Sequence, residues 1–138
     1  VHLKLFPDEC PKTVENFTTH ARNGYYNGVL FHRVIKGFML QTGDPLGDGT
    51  GGPGYDLTSE NHVAEPKGTL AMAAGSKPRG SQFYIVVGMG PSSDYNVFGT
   101  CDTTAAVAIA GVPRDIDGGT DMPLTPVHML RVEIARCP

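Results

Sequence analysis

Apolar residues recur at every second position from the start of the chain. Val1, Leu3 and Leu5 alternate with His2, Lys4 and Phe6, and a period of two predicts a half-buried strand over 1–6. From residue 8 the period lengthens. Val14, Phe17, His20 and Ala21 then share one face, Pro11 is tolerated in a first turn, and Asn23-Gly24 ends the run, which predicts a helix over 8–23. Strands are predicted over 29–34 and 38–42, split by a Lys36-Gly37 turn, and the Gly-, Asp- and Pro-rich segment 43–55 reads as loop. Apolar runs at 69–74 and 83–87 predict neighbouring strands joined through 75–80. A short strand at 97–99 precedes Asp102, which is suited to cap a second helix over 103–110. At the far end, His128, Leu130, Val132 and Ile134 alternate with Val127, Met129, Arg131 and Glu133, which predicts a closing strand over 127–135.

Six or more strands with two helices and no βαβ rhythm predict a mainly β, antiparallel barrel, since closure removes exposed strand edges. No repeat or linker interrupts the pattern, so residues 1–138 are expected to form one domain. Composition agrees with many tight turns: 18 Gly and 11 Pro make up about a fifth of the chain.

A net charge of −3 leaves no basic face for phosphates, and nucleic acid is not expected as a ligand. No apolar run approaches the roughly 20 residues that span a bilayer, so no membrane partner is expected. Cys10, Cys101 and Cys137 are odd in number and show no metal-ligand spacing. Reduced thiols are expected, which points to an intracellular compartment: cytoplasmic, or nuclear as part of a larger protein.

The richest chemistry lies in Phe31-His32-Arg33-Val34-Ile35-Lys36-Gly37-Phe38-Met39-Leu40-Gln41-Thr42-Gly43-Asp44-Pro45. One arginine, two large apolar side chains and one amide fall within nine positions, on two strands separated by a turn. That set suits a greasy pocket with a polar rim, fit for an apolar ring beside a peptide carbonyl, such as a prolyl peptide. Taken alone, each residue has a plainer reading: Arg33 as a surface residue, Phe38 and Met39 as core, Gln41 and Gln82 as solvated edge residues. Phe38 and Met39 are adjacent, so both line one pocket only at a bend or bulge. His32 reads as a structural histidine with a hydrogen-bonded ring. Gly49-Thr50-Gly51-Gly52 lacks the Gly-Lys-Ser/Thr ending of a phosphate loop.

With Pro11-Lys12-Thr13-Val14-Glu15-Asn16-Phe17, the 31–44 stretch, Gly49-Thr50-Gly51-Gly52, Gly68-Thr69-Leu70-Ala71-Met72-Ala73, Gly80-Ser81-Gln82-Phe83-Tyr84-Ile85 and Val97-Phe98-Gly99 in this order, the chain resembles a cyclophilin, a peptidyl-prolyl cis-trans isomerase. The resemblance implies a closed eight-stranded antiparallel barrel capped by two helices, with the first strand missing upstream of Val1. It implies an essential arginine at Arg33, pocket aromatics at Phe38 and Tyr84, a pocket methionine at Met39, and backbone-holding glutamines at Gln41 and Gln82. Ala73 and Ala74 would contact residues preceding the proline, and Gly49 would lie on a bordering loop. No metal or cofactor is implied. The implied partners are proline-containing peptides and unfolded proteins, and a monomer is expected.

The chain departs from the family pattern in three places. Tyr84 replaces a common Phe. The 72–75 segment is one residue short and lacks an asparagine. The 88–96 loop is shortened, with Tyr95 in place of a His and either Met89 or Pro91 as its apolar residue, and without the Trp that binds cyclosporin in many members. Weak or no cyclosporin binding is therefore expected. Besides an active isomerase, two alternatives stay open. One is a low-turnover module that holds proline-containing partners. The other is a scaffold domain of a larger assembly, since the first half resembles cyclophilin domains appended to WD-repeat proteins.

Overall fold

The computed structural model describes residues 1–91 and 95–136. Eight elements follow in chain order: β1 (Leu3–Leu5), α1 (Pro11–Arg22), β2 (Arg33–Ile35), β3 (Met39–Thr42), β4 (Thr69–Ala74), β5 (Pro78–Val86), β6 (Val97–Cys101) and α2 (Thr103–Ala110). The strands form one antiparallel sheet in the order β1-β6-β4-β5-β3-β2.

The period of two sorts the sheet residues onto two faces. Val34, Leu40, Leu70, Met72, Phe83, Ile85 and Phe98 point inward and form the main core with Val14, Phe17 and Ala21 of α1 and Ala106 and Ala110 of α2. Phe17 centres it, with ring centroids 5.3 Å from Tyr26 and Phe83 and 5.1 Å from Phe98. Intervening residues, Met39, Ala71, Ala73, Tyr84, Val86 and Val97, form a second apolar cluster on the other face. That outer cluster is the floor of the site.

Each helix is started differently. Asp102 caps α2 as expected, its carboxylate accepting from Thr104 N at 2.9 Å. The helix predicted over 8–23 begins only at Pro11, and Glu60 from a distant loop accepts from Lys12 N and Thr13 N, each at 2.8 Å. Cys10 also donates to Glu60, and burial pushes its thiol up to about 12. Among the described residues Cys10 and Cys101 are unbridged; the expectation for Cys137 lies outside them.

Among the described residues the sheet has six strands, with β1 and β2 at its edges. Two strand expectations are corrected. The predicted strand over 127–135 is reduced to one isolated bridge, Leu30 to His128, with backbone hydrogen bonds joining 127–129 to 28–31. The cause is a slip in phase. Val127 and Met129 pack on the core from odd positions, Val132 and Ile134 from even ones, and Leu130 is 87% exposed. One pleat cannot bury both sets. The strand predicted over 29–34 likewise starts only at Arg33, whereas β5 extends back to Pro78.

Candidate active site

Register builds the site. Arg33 pairs with Gln41, Gln41 with Tyr84, and Tyr84 with Ala71, one row across β2, β3, β5 and β4. Residues opposite one another in a ladder share a face, so a cation, an amide and an aromatic ring stand side by side on the outer face. Met39, two residues along from Gln41, stands on that same face. Phe38 joins it because it belongs to the turn at 36–38 rather than to β3, which begins at Met39. Gly37, at φ +77°, makes the reversal in a conformation that side chains resist. Ala73 and Ala74 are both admitted because the β4–β5 ladder shifts register between Met72 and Ala74.

These residues surround a cavity of about 160 Å³ lined by Arg33, Phe38, Met39, Gln41, Ala73, Ala74, Arg79, Tyr84, Pro91 and Tyr95. Arg33 is exposed at the rim, Met39 and Tyr84 are buried in the floor, and Tyr95 meets Tyr84 edge-on at 5.5 Å. The Tyr84 hydroxyl donates to the buried Glu65 carboxylate at 2.6 Å. Burial first, and then that carboxylate, push the phenol far above its ordinary value. It therefore remains a neutral donor, and its ring is pinned.

The two glutamines divide their work. Gln82 is fully buried and lies behind the cavity rather than on its wall. Its Nε2 donates to Gly49 O at 3.0 Å and Gly51 O at 2.8 Å, and its Oε1 accepts from Gln41 Nε2 at 2.9 Å. With its NH₂ turned toward Gln82, Gln41 keeps Oε1 for an N–H of a ligand. Gly49 is also off the wall and acts through its carbonyl. Met89 does not serve as the loop's apolar residue: it is 85% exposed, and Pro91 lines the cavity instead. Residues 92–94 of that loop lie outside the described residues.

Asp44 holds the 44–51 loop in place. It is fully buried and accepts from Leu46 N, Asp48 N and Gly49 N at 2.8, 3.1 and 2.6 Å. Burial raises its pKa, but the loop's backbone N–H groups, Leu46 foremost, outweigh that and hold it below the usual carboxylate range. Next to it, His32 is buried with its Nδ1 unpartnered among the described residues, so the expected ring hydrogen bond is not seen there. Burial lowers its pKa, against the pull of Asp44 and Asp48, and Arg33 and Arg79 lower it further, which favours the neutral imidazole.

Sequence reasoning did not single out Arg79. A lone arginine in Lys77-Pro78-Arg79-Gly80 reads as a turn residue, and its entry to the cavity depends on how far β5 extends back.

Comparison with known proteins gives a consistent answer. The model of the cyclophilin type peptidyl-prolyl cis-trans isomerase/CLD family matches residues 1–134. Peptidyl-prolyl cis-trans isomerase CYP71 of Arabidopsis thaliana is 47% identical over 145 residues, covering 99% of this chain and 23% of that protein. Human peptidylprolyl isomerase domain and WD repeat-containing protein 1 is 46% identical over 143 residues, covering 97% and 22%. The chain thus spans less than a quarter of the length of these relatives. A Cryptosporidium parvum cyclophilin type isomerase, crystallised in the presence of the dipeptide Ala-Pro, superposes with a TM-score of 0.85 at 30% identity, covering 97% of this chain and 92% of that one.

Proposed function

The chain belongs to the cyclophilin-type peptidyl-prolyl cis-trans isomerase family, and on that premise we propose that it rotates X–Pro peptide bonds in flexible or unfolded protein segments at the cavity beside Arg33. The observation that carries this reading is the in-register row Arg33–Gln41–Tyr84, which sets a guanidinium and a hydrogen-bonding amide over an apolar floor.

Rotation of an X–Pro amide crosses a barrier of about 18–20 kcal/mol because the planar bond loses its double-bond character. In the twisted state the nitrogen lone pair is localised, and a cation beside it stabilises that state more than either planar form. Arg33 suits this role, since it is charged at every working pH and presents a rigid fork of donors. Phe38, Met39 and Tyr84 bury the proline ring. Gln41, fixed by Gln82, holds a flanking backbone group so that only the imide turns. Each 1.4 kcal/mol of such differential stabilisation is worth about tenfold in rate. No proton is transferred and no cofactor enters.

A protease-coupled assay on a short Xaa-Pro-Phe peptide tests the reading. Arg33→Ala, at an exposed position, should cut turnover more than tenfold while the thermal transition stays unchanged; unaltered turnover would remove Arg33 from the mechanism. The closed eight-stranded barrel belongs to the same proposal. Its support is the set of hydrogen bonds that 127–129 makes to 28–31, where one further strand would lie. Because the chain spans only 22–23% of its longer relatives, a second reading is a module that holds proline-containing partners within a larger protein. Measurable peptide binding without turnover would favour it.

A further inference from the structure

Beside the cavity lies a groove of about 360 Å³, walled by residues 50–56 with Arg79 and Gly80. Arg79 is shared by both hollows. Among the described residues it is the only cation lining the groove, and the wall of the proline cavity carries Arg33 and Arg79 and no carboxylate. A peptide seated on the cavity would meet this guanidinium wherever its chain crosses toward the groove.

The backbone around Arg79 is firmly held. Pro78 O accepts from Leu57 N at 2.7 Å, Gly80 O accepts from Asn16 Nδ2 at 2.7 Å and meets His20 Nε2 at 3.1 Å, and Arg79 itself bridges to Asp56 across the strands. The side chain is half-buried but makes no ion pair or hydrogen bond among the described residues, even with Asp56 so near. Elsewhere the half-buried Arg114 is paired, its Nε 3.0 Å from Asp121. A half-desolvated guanidinium on a rigid strand, without a partner among the described residues and open to two hollows, is preorganised for an external anion.

Resting on the isomerase reading above, we infer that Arg79 is a specificity-determining residue that favours prolyl segments carrying an anionic side chain, a carboxylate or a phosphorylated residue, within two positions of the X–Pro bond. The pair would form at a partly exposed surface, so the preference is graded and salt-sensitive.

The test is a positional scan of short prolyl peptides with Ala, Glu, phosphoserine or Lys at each of two positions on either side of Ala-Pro, read as kcat/KM by the coupled assay and as affinity by fluorescence anisotropy. At one position Glu should exceed Lys by about three- to tenfold at low salt and by about twofold or less at 0.5 M salt. Phosphoserine above Glu would identify a phosphorylated source, and Glu at or above phosphoserine a carboxylate one; either supports the inference. Arg79→Gln should level the Glu-to-Lys ratio and Arg79→Glu should invert it, whatever the absolute turnover. A flat scan, or a preference for Lys in the unaltered protein, which would give the groove to Asp56, overturns the inference. If the Arg79 variants fail to fold, the affinity scan repeated on Arg33→Gln decides: a Glu preference that persists there supports Arg79, and one that vanishes belongs to Arg33 and overturns the inference. Turnover absent on every peptide would defeat the isomerase reading instead, and the ranking of affinities would still decide the role of Arg79.

Discussion

Asp44→Asn perturbs the polar half of the site from a position that touches no substrate. The carboxylate accepts three backbone N–H groups, one at Oδ1 from Leu46 and two at Oδ2 from Asp48 and Gly49. An asparagine has one acceptor oxygen, so its NH₂ must face either Leu46 or the Asp48–Gly49 pair, donor against donor, and the charge is lost. Hydrogen bonds to charged groups contribute about 1.5–3 kcal/mol each, and a stranded buried donor costs about 1–3 kcal/mol. Because these effects overlap, the net loss should be about 2–4 kcal/mol. For a chain of this size that lowers Tm by roughly 6–15 °C. The loop also carries the carbonyls of Gly49 and Gly51, which orient Gln82 and through it Gln41, so kcat/KM should fall about three- to tenfold. The pH dependence has a fixed sign. Asp44 titrates below its ordinary value when folded, so its stabilisation is present above the unfolded carboxylate range and is lost as pH falls through the depressed folded value. Thermal melts of both proteins at pH 7 and at about pH 3, with turnover at pH 7, check this; the gap should narrow at the lower pH. Equal Tm values at pH 7, or a gap that does not change with pH, would refute the role assigned to Asp44.

Tyr84→Phe keeps the ring but removes the 2.6 Å hydrogen bond to Glu65; stability in urea should fall by about 1.5–3 kcal/mol while kcat/KM changes less than about threefold. Turnover should be nearly level from pH 6 to 8, because no proton moves in the reaction; a bell-shaped profile would argue for acid–base chemistry. Cyclosporin should bind weakly, since the chain contains no tryptophan, and calorimetric titration with tight binding would contradict that.

Much of the fold was legible because periodicity and capping are local properties. The strand at 69–74 and the helix at 103–110, with Asp102 as its cap, stand where the pattern put them. Family resemblance then placed Arg33, Phe38, Met39, Gln41 and Tyr84 in one neighbourhood, and the structure brings these five together around one cavity.

Long-range register decided the rest. The turn before β3 settled how adjacent Phe38 and Met39 line one hollow, and a ladder shift settled the same question for Ala73 and Ala74. Only the folded chain could bring Glu60 to the start of α1, turn Gln82 toward the 44–51 loop, leave Met89 in solvent, and set Arg79 between two hollows. The end of the chain shows why: 127–135 alternates well enough to be read as a strand, but its core-facing phase slips after Met129, so it does not continue the ladder. Sequence determines which faces each segment can offer, and only the pairing of distant segments determines which of those faces meet.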